Sequence, residues 1–279
     1  MKLNIRKWGA CSVAAILLVA GYQMLVPQRE KTTPKVDTVV RTLPAPLPTP
    51  KQIPTPAPRP ELERGPRHLR QVALTFDAGA EADGLNDLLR VLEREGITAT
   101  FFLTGRWACE NLTLARAIVA KGHFIGNHTW AHKDLTKLED ADIRLELLRT
   151  DDRFVGWFGA QYHHLARAPF GETNERVLRI MEKEGFYGVR WSIDTLDSIE
   201  PRKSAAFIEG RILGLSDANL QGAIVLMHVG YPETVQALPT VIDRLRERGF
   251  EFVPVSVWVP ELGLPQSTNP MYRWPLAQP

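Results

Sequence analysis

The 279-residue chain is 44% hydrophobic and 24% charged, an ordinary globular balance, and is long enough for one large domain. Its net charge of +2 is divided unevenly, with +6 on residues 1–66 and −4 on residues 67–279. A mildly acidic body argues against a nucleic-acid-binding domain, which would itself carry the basic surplus, and two cysteines are too few for a disulfide framework.

The chain opens with Lys2, Arg6 and Lys7, followed by a nearly unbroken apolar run from Trp8 to Val26. Basic residues ahead of such a run predict a signal peptide or an uncleaved signal anchor over residues 1–26. The positive flank keeps the N-terminus cytoplasmic and sends the rest outward, to the cell envelope or, after cleavage, to secretion. Residues 27–66 hold 11 of the 21 prolines, including the alternating sets Pro44-Pro46-Pro48-Pro50 and Pro54-Pro56-Pro58-Pro60. Proline fixes φ and lacks an amide donor, so this stretch is expected to be an extended linker, reaching roughly 120 Å at about 3.1 Å per residue.

From residue 71 the pattern becomes that of a folded body. Apolar runs at 71–76, 98–103, 187–193, 223–228 and 251–258 read as buried strands. Amphipathic stretches at 84–95, 111–121, 139–155, 174–185, 203–214 and 234–248 read as helices between them. Gly96, Gly122, Gly185 and Gly249 each follow a helical stretch, where a left-handed residue ends a helix well. Alternating strand and helix predicts a parallel sheet or barrel over residues 67–262, with a proline-containing tail at 263–279. Cys109 is expected to be a free thiol.

Reactive groups in a parallel α/β barrel collect at the C-terminal ends of strands. Asp77 ends the first run, Asp194 and Asp197 follow the third, and His228 ends the fourth. His128 and His132 stand at i and i+4, which on a helical turn share one face and suit a divalent metal. Arg167 precedes the turn Ala168-Pro169-Phe170-Gly171.

In order along the chain these segments read T-F-D-x-G at Asp77, H-T-x-x-H at His128, R-x-P-F-G at Arg167, D-x-x-D at Asp194 and L-x-H at Leu226. In this the stretch from about 71 to 258 resembles the polysaccharide deacetylase family, carbohydrate esterase family four with its NodB homology domain. The resemblance implies an α/β fold, a distorted (β/α) barrel of seven or so units. It also implies metal-dependent removal of acetyl groups from an N-acetylated polysaccharide such as peptidoglycan or a chitin-like glycan. By position, Asp77 resembles the general base and His228 the general acid. Arg167 would hold Asp77 ionised, and Asp197 would pair with His228. His128 and His132 would be ligands of a divalent metal, expected to be zinc. Leu226 would line the acetyl pocket, the Phe170 amide would help hold the oxyanion, and Trp191 joins them as a substrate-binding residue.

The sequence departs from the family at three places. Ala78 stands where a second aspartate usually supplies a metal ligand, and Glu81 or Asp83 on the same loop could replace it. Ser198 replaces a tryptophan that often follows D-x-x-D, and Thr98 stands at a position often basic. These departures leave two other readings: a metal-impaired glycan-binding protein without turnover, or an esterase acting on O-acetyl groups.

Overall fold

The computed structural model describes residues 57–261; the expected anchor, most of the linker and the C-terminal tail lie outside these residues. In chain order the elements are β1 (Gln71–Ala78), α1 (Leu85–Arg94), β2 (Thr100–Leu103), α2 (Gly105–Glu110), α3 (Leu112–Ala120), β3 (Phe124–Asn127) and α4 (Asp140–Phe158). They continue with β4 (Tyr162–Ala166), α5 (Glu175–Lys183), β5 (Tyr187–Gly188), β6 (Ile193–Asp194), α6 (Ala205–Leu213) and α7 (Asp217–Leu220). The last are β7 (Ala223–His228), α8 (Pro232–Glu247), β8 (Glu251–Phe252) and α9 (Trp258–Glu261). The strands run in the order β5-β4-β3-β2-β1-β7-β6, with β8 beside the start of β1, and every ladder is parallel. This is a curled, incompletely closed barrel with helices outside. Among the described residues, no helix is long and apolar enough to cross a membrane.

Alternation along β1 sorts the core into two layers. Val72, Leu74, Phe76 and Ala78 join the outer cluster beneath the helices, with Leu88, Leu92, Val241 and Leu245. Ala73 joins the inner cluster with Phe102, Leu165, Ile224 and Trp258, and Thr75 and Asp77 continue on that inner face toward the strand ends. The glycines after the helical stretches do have positive φ, as expected.

Several expected elements change. The run at 187–193 forms two separate two-residue strands, and 251–258 pairs only at Glu251 and Phe252 before a 3₁₀ turn at Val255–Val257. Two strands were not anticipated, β3 and β4. The pair His128 and His132 lies on an irregular loop rather than a helical turn, with Thr129 at φ 66 and His132 at φ 56. Cys109 is free, as expected, and exposed on α2.

The domain also begins earlier than residue 67. Leu62, 5% exposed, packs with Val189, Ile224 and Trp258. Its amide donates to Gly188 O at 2.8 Å and its carbonyl accepts from Arg190 N at 2.9 Å. Gly65 N donates to Gly222 O at 2.8 Å, and Arg64 bridges Ala223 at the foot of β7. Residues 62–65 therefore bond to the end of β5, to the chain after it and to the start of β7, across the seam that the short strands leave open. Gly65 has no alternative there, since an added Cβ would lie 2.3 Å from the Trp258 ring.

A chain beginning at Ala57 is thus expected to unfold at a clearly higher urea concentration than one beginning at Arg67. Leu62→Ala alone should lose about 2–5 kcal/mol, the usual range for emptying a fully packed leucine site. Equal denaturation midpoints for the two truncations would place the seam segment outside the cooperative core.

Candidate active site at the strand ends

At the C-terminal ends of β1, β3, β6 and β7 the inner face opens into a cavity of ≈ 490 Å³. Asp77, His128, His132, Phe170, Trp191, Leu226 and His228 all line it, so the structure brings these sequence-predicted residues together. Arg167 and Asp197 lie just behind, both buried.

Asp77 is the last residue but one of β1, and alternation turns it inward, next to Arg167 just after β4. Arg167 Nη1 donates to Asp77 Oδ1 at 2.7 Å and to Thr75 Oγ1 at 3.0 Å, and the Thr75 hydroxyl donates in turn to Val225 O at 2.6 Å. Arg167 Nη2 donates to Arg190 O at 3.0 Å, and the guanidinium lies 4.1 Å from the Phe102 ring centroid. Burial by itself pushes the Asp77 carboxyl upward; the charge and hydrogen bond of Arg167, with the charge of His228, outweigh it and hold the group below the usual carboxylate range. The seam segment takes part indirectly, because Leu62 bonds the same Arg190 whose carbonyl holds Arg167.

On one side of Asp77 stand the two histidines. His128 Nδ1 donates to Arg167 O at 2.8 Å, which leaves Nε2 as the acceptor. Burial lowers the pKa of both imidazoles, that of His132 to about 4, so both are neutral at neutral pH. His128 Nε2 then faces the anionic Asp77 Oδ2 at 3.5 Å, an acceptor against an acceptor. A bound cation would relieve that opposition, and neutral imidazoles with a carboxylate are donors that suit zinc. The donor chemistry therefore fits a divalent metal, with His128 and His132 as its imidazole ligands. Among the described residues, no set of three His, Cys, Asp or Glu side chains is arranged to hold a metal alone. Neither Glu81 nor Asp83 supplies the missing carboxylate: both are exposed and neither lines the cavity. Glu81 packs against Gly230, and its carbonyl accepts from Trp107 Nε1. Ala78 is buried in the outer apolar cluster, on the far face of β1.

On the other side stands His228. Its Nδ1 donates to Asp197 Oδ1 at 2.7 Å, while Asp197 Oδ2 accepts from His228 N and from Thr234 Oγ1. Burial works to lower the His228 pKa, but the hydrogen bond and charge of Asp197 overcome it, and the net direction is upward. The cavity thus opposes an ionised carboxylate to an imidazole biased toward its protonated form, the pair needed to take one proton and give another. Phe170, at φ 61 and 63% exposed, sets its ring edge-on to His132 with centroids 4.7 Å apart. The turn behind it needs Gly171, because a Cβ there would lie 2.7 Å from Trp191.

Glu146, on α4, escaped the sequence reading. It is buried, and its Oε2 accepts from Trp130 N at 3.0 Å and Ala131 N at 2.7 Å. The amides of Gly105 and Arg106, opening α2, donate to Thr129 O and Trp130 O from the other side. Asn127 Oδ1 accepts from Thr129 N. These bonds hold the histidine loop in its two positive-φ positions. A lone glutamate in an amphipathic helix carries no sequence signal for that task.

Comparison with known proteins shows the family and the fold. The sequence model of the family described as polysaccharide deacetylase matches residues 64–189. A chitooligosaccharide deacetylase of Bradyrhizobium sp. is 34% identical over 200 residues, covering 67% of this chain and 89% of that protein. The crystal structure of a peptidoglycan N-acetylglucosamine deacetylase superposes with a TM-score of 0.66 at 31% identity, covering 71% of this chain and 92% of the other. A family-four pseudoenzyme from Bacillus anthracis gives 0.67 at 28% identity, covering 72% and 69%.

Glu146→Ala should destabilise the protein by about 1–3 kcal/mol, because two loop amides lose a buried acceptor. Glu146→Gln, which keeps an acceptor oxygen, should recover most of that loss in chemical denaturation. Equal losses in both variants would show that the carboxylate's charge, not its bonds to the loop, is what matters.

Proposed function

The chain belongs to the polysaccharide deacetylase family, and from that premise we propose that it is a hydrolase removing N-acetyl groups from a polysaccharide, peptidoglycan or a chitin-like glycan. The observation that carries the reading is the placement, in one cavity, of a carboxylate kept ionised by Arg167 and an imidazole biased toward protonation by Asp197.

Asp77 is the general base. Arg167 occupies Oδ1, so Oδ2 is the oxygen left to draw a proton from the attacking water. His228 is the general acid: Asp197 holds Nδ1, so Nε2 presents its proton to the departing amine. Arg167 and Asp197 touch no substrate and act as positioning residues for the two. Leu226 offers an apolar wall to the acetyl methyl, Phe170 and Trp191 meet the sugar, and the Phe170 amide helps hold the oxyanion. His128 and His132 would hold a divalent metal, zinc by donor type, which when bound polarises the acetyl carbonyl and raises the acidity of water. Residues 1–26 would tether the domain to the membrane, and the proline-rich linker would let it reach a polymer outside the cytoplasm.

Pseudoenzymes occur among the structural neighbours. The third carboxylate missing among the described residues is the observation on the side of a binding role without turnover; the mutually consistent geometry of Asp77, Arg167, Asp197 and His228 weighs against it.

The test is acetate release from chitooligosaccharides and from peptidoglycan, with and without a chelator. Turnover is expected, and the chelator should abolish it; binding of glycan without acetate release would overturn the proposal. Asp77→Asn should lower turnover by about 10²–10⁴-fold per folded molecule, since asparagine cannot accept the proton.

The pH profile follows from the two shifts. Asp77, with its lowered pKa, remains a base well into acid, whereas His228 loses its acid proton as pH rises through a pKa lifted above 6.5. The alkaline limb should therefore move to lower pH in Asp197→Asn, where burial is no longer opposed. An unmoved limb would detach His228 from the profile.

A further inference from the structure

Two aromatic side chains of the cavity, Phe170 and Trp191, are carried on separate arms. One arm is the turn at Pro169–Gly171, which holds Phe170 and continues to Thr173; the other is the chain from Gly188 to Arg190, which leads to Trp191. The first arm is a single 3₁₀ turn closed by its own bonds, Gly171 N to Ala168 O at 3.2 Å and Glu172 N to Pro169 O at 3.1 Å. Two consecutive residues of the segment arriving from the linker touch both arms. Leu62 bonds the Trp191 arm through its backbone, at Gly188 and Arg190. Glu61 bonds the Phe170 arm through its side chain: Thr173 Oγ1 donates to Glu61 Oε2 at 2.6 Å. The stem of Glu61 lies over Gly188, where an added Cβ would come 2.9 Å from its Cγ, so one side chain spans from the end of β5 to the chain beyond the Phe170 turn. Its entry is fixed by Arg59, whose N and Nε donate to the two carboxylate oxygens of Glu182 on α5 at 3.2 and 2.9 Å. Glu61 stands before the residues matched by the family model, which begin at 64.

We propose that Glu61 is a positioning residue for glycan binding, a role that rests on the glycan reading given above. By bridging the two arms it sets the distance between Phe170 and Trp191, so that the end of the linker completes the wall that meets the sugar. Glu61 does not line the cavity and touches no substrate; it acts through Thr173. The turn's own hydrogen bonds keep the backbone at Phe170 in place, so loss of Glu61 leaves the turn formed but lets it swing relative to Trp191. A looser wall weakens the hold on ground state and transition state alike, and the loss therefore falls on affinity rather than on the chemical step. Tether and binding wall thereby share a residue, and a change in the segment between Arg59 and Gly65 is transmitted to the cavity.

The experiment uses the purified full-length chain in detergent, with EDTA present to stop turnover, and reads two quantities. These are chitopentaose affinity by titration calorimetry and amide hydrogen exchange of the peptide spanning residues 167–175. Glu61→Ala and Thr173→Val should each weaken binding roughly tenfold, the size of one lost hydrogen bond. Both should speed exchange in that peptide while β1 stays as protected as in wild type. The double variant should bind no more weakly than either single one, because both remove the same contact. Glu61→Gln, which keeps an acceptor oxygen for Thr173, should bind within about threefold of wild type. Unchanged affinity and exchange in Glu61→Ala would overturn the proposal, and so would a Glu61→Gln as weak as Glu61→Ala or additive losses in the double variant. Exchange that rises equally across the whole domain would also overturn it, by reducing Glu61 to a residue of general stability. Thr173→Val, at a half-buried position, decides the matter if Glu61→Ala does not fold. Wild type that binds no chitopentaose would contradict a chitin-like substrate, and exchange in the 167–175 peptide would then decide alone whether Glu61 holds the wall.

Discussion

A guanidinium and a carboxylate buried together at the mouth of a barrel impose the constraint on which the rest of this site depends. Arg167 is 1% exposed and Asp77 5%. Such a pair survives desolvation only when its geometry is good and its remaining donors are satisfied. Here Arg167 donates hydrogen bonds to Asp77, Thr75 and the carbonyls of Val189 and Arg190, and its flat face rests on Phe102. Its own carbonyl fixes the His128 tautomer. One side chain thus ties β1, β4, the chain after β5 and the histidine loop into one geometry. Because Leu62 bonds the chain that supplies two of those carbonyls, the segment arriving from the linker also belongs to the support.

The opposite wall repeats the device with the charges exchanged. A carboxylate without solvent access, Asp197, is fully occupied by three donors, one of which is the imidazole it biases toward protonation. The two walls drive two titratable groups apart in pKa inside a single cavity, which is how one site can provide a base and an acid at the same pH. Neither wall needs a conformational change to assume its charge state. The histidine loop differs in kind. It is held in strained backbone by Glu146, Asn127 and the start of α2, and its donors are neutral imidazoles facing an anion.

Much of this was legible in the sequence because strand ends and helix ends carry strong local signals. The apolar runs at β1, β2 and β7 located the inner strands, and glycine after each helical stretch located its end. Asp77, Arg167, Asp197 and His228 followed from motifs in order. Other features were hidden for physical reasons. β4 reads Tyr-His-His-Leu-Ala, and two imidazoles suggest a polar segment; in the fold they behave as flat rings, His163 stacked on Phe124 and His164 on Phe186. β3 has only four residues, among them Gly126 and Asn127, too few for a periodicity. The i, i+4 spacing of His128 and His132 suggests a helix, but loop bonds from distant α2 and α4 override it. The body begins before residue 67 because Leu62 packs across the seam, a long-range contact that proline-rich composition conceals. Glu81 and Asp83 are near Asp77 in sequence, yet the loop carries them outward, so proximity along the chain did not provide a ligand.

The central claim is that Arg167 keeps Asp77 ionised inside the protein, ready to accept a proton. The most direct measurement is the ¹³Cγ chemical shift of Asp77 in carboxyl-labelled protein, assigned by comparison with Asp77→Asn and followed from neutral pH into acid. The resonance is predicted to stay at its ionised position below the range where ordinary aspartates titrate, around pH 3.9. A carboxyl that takes up its proton at or above that value would contradict the account.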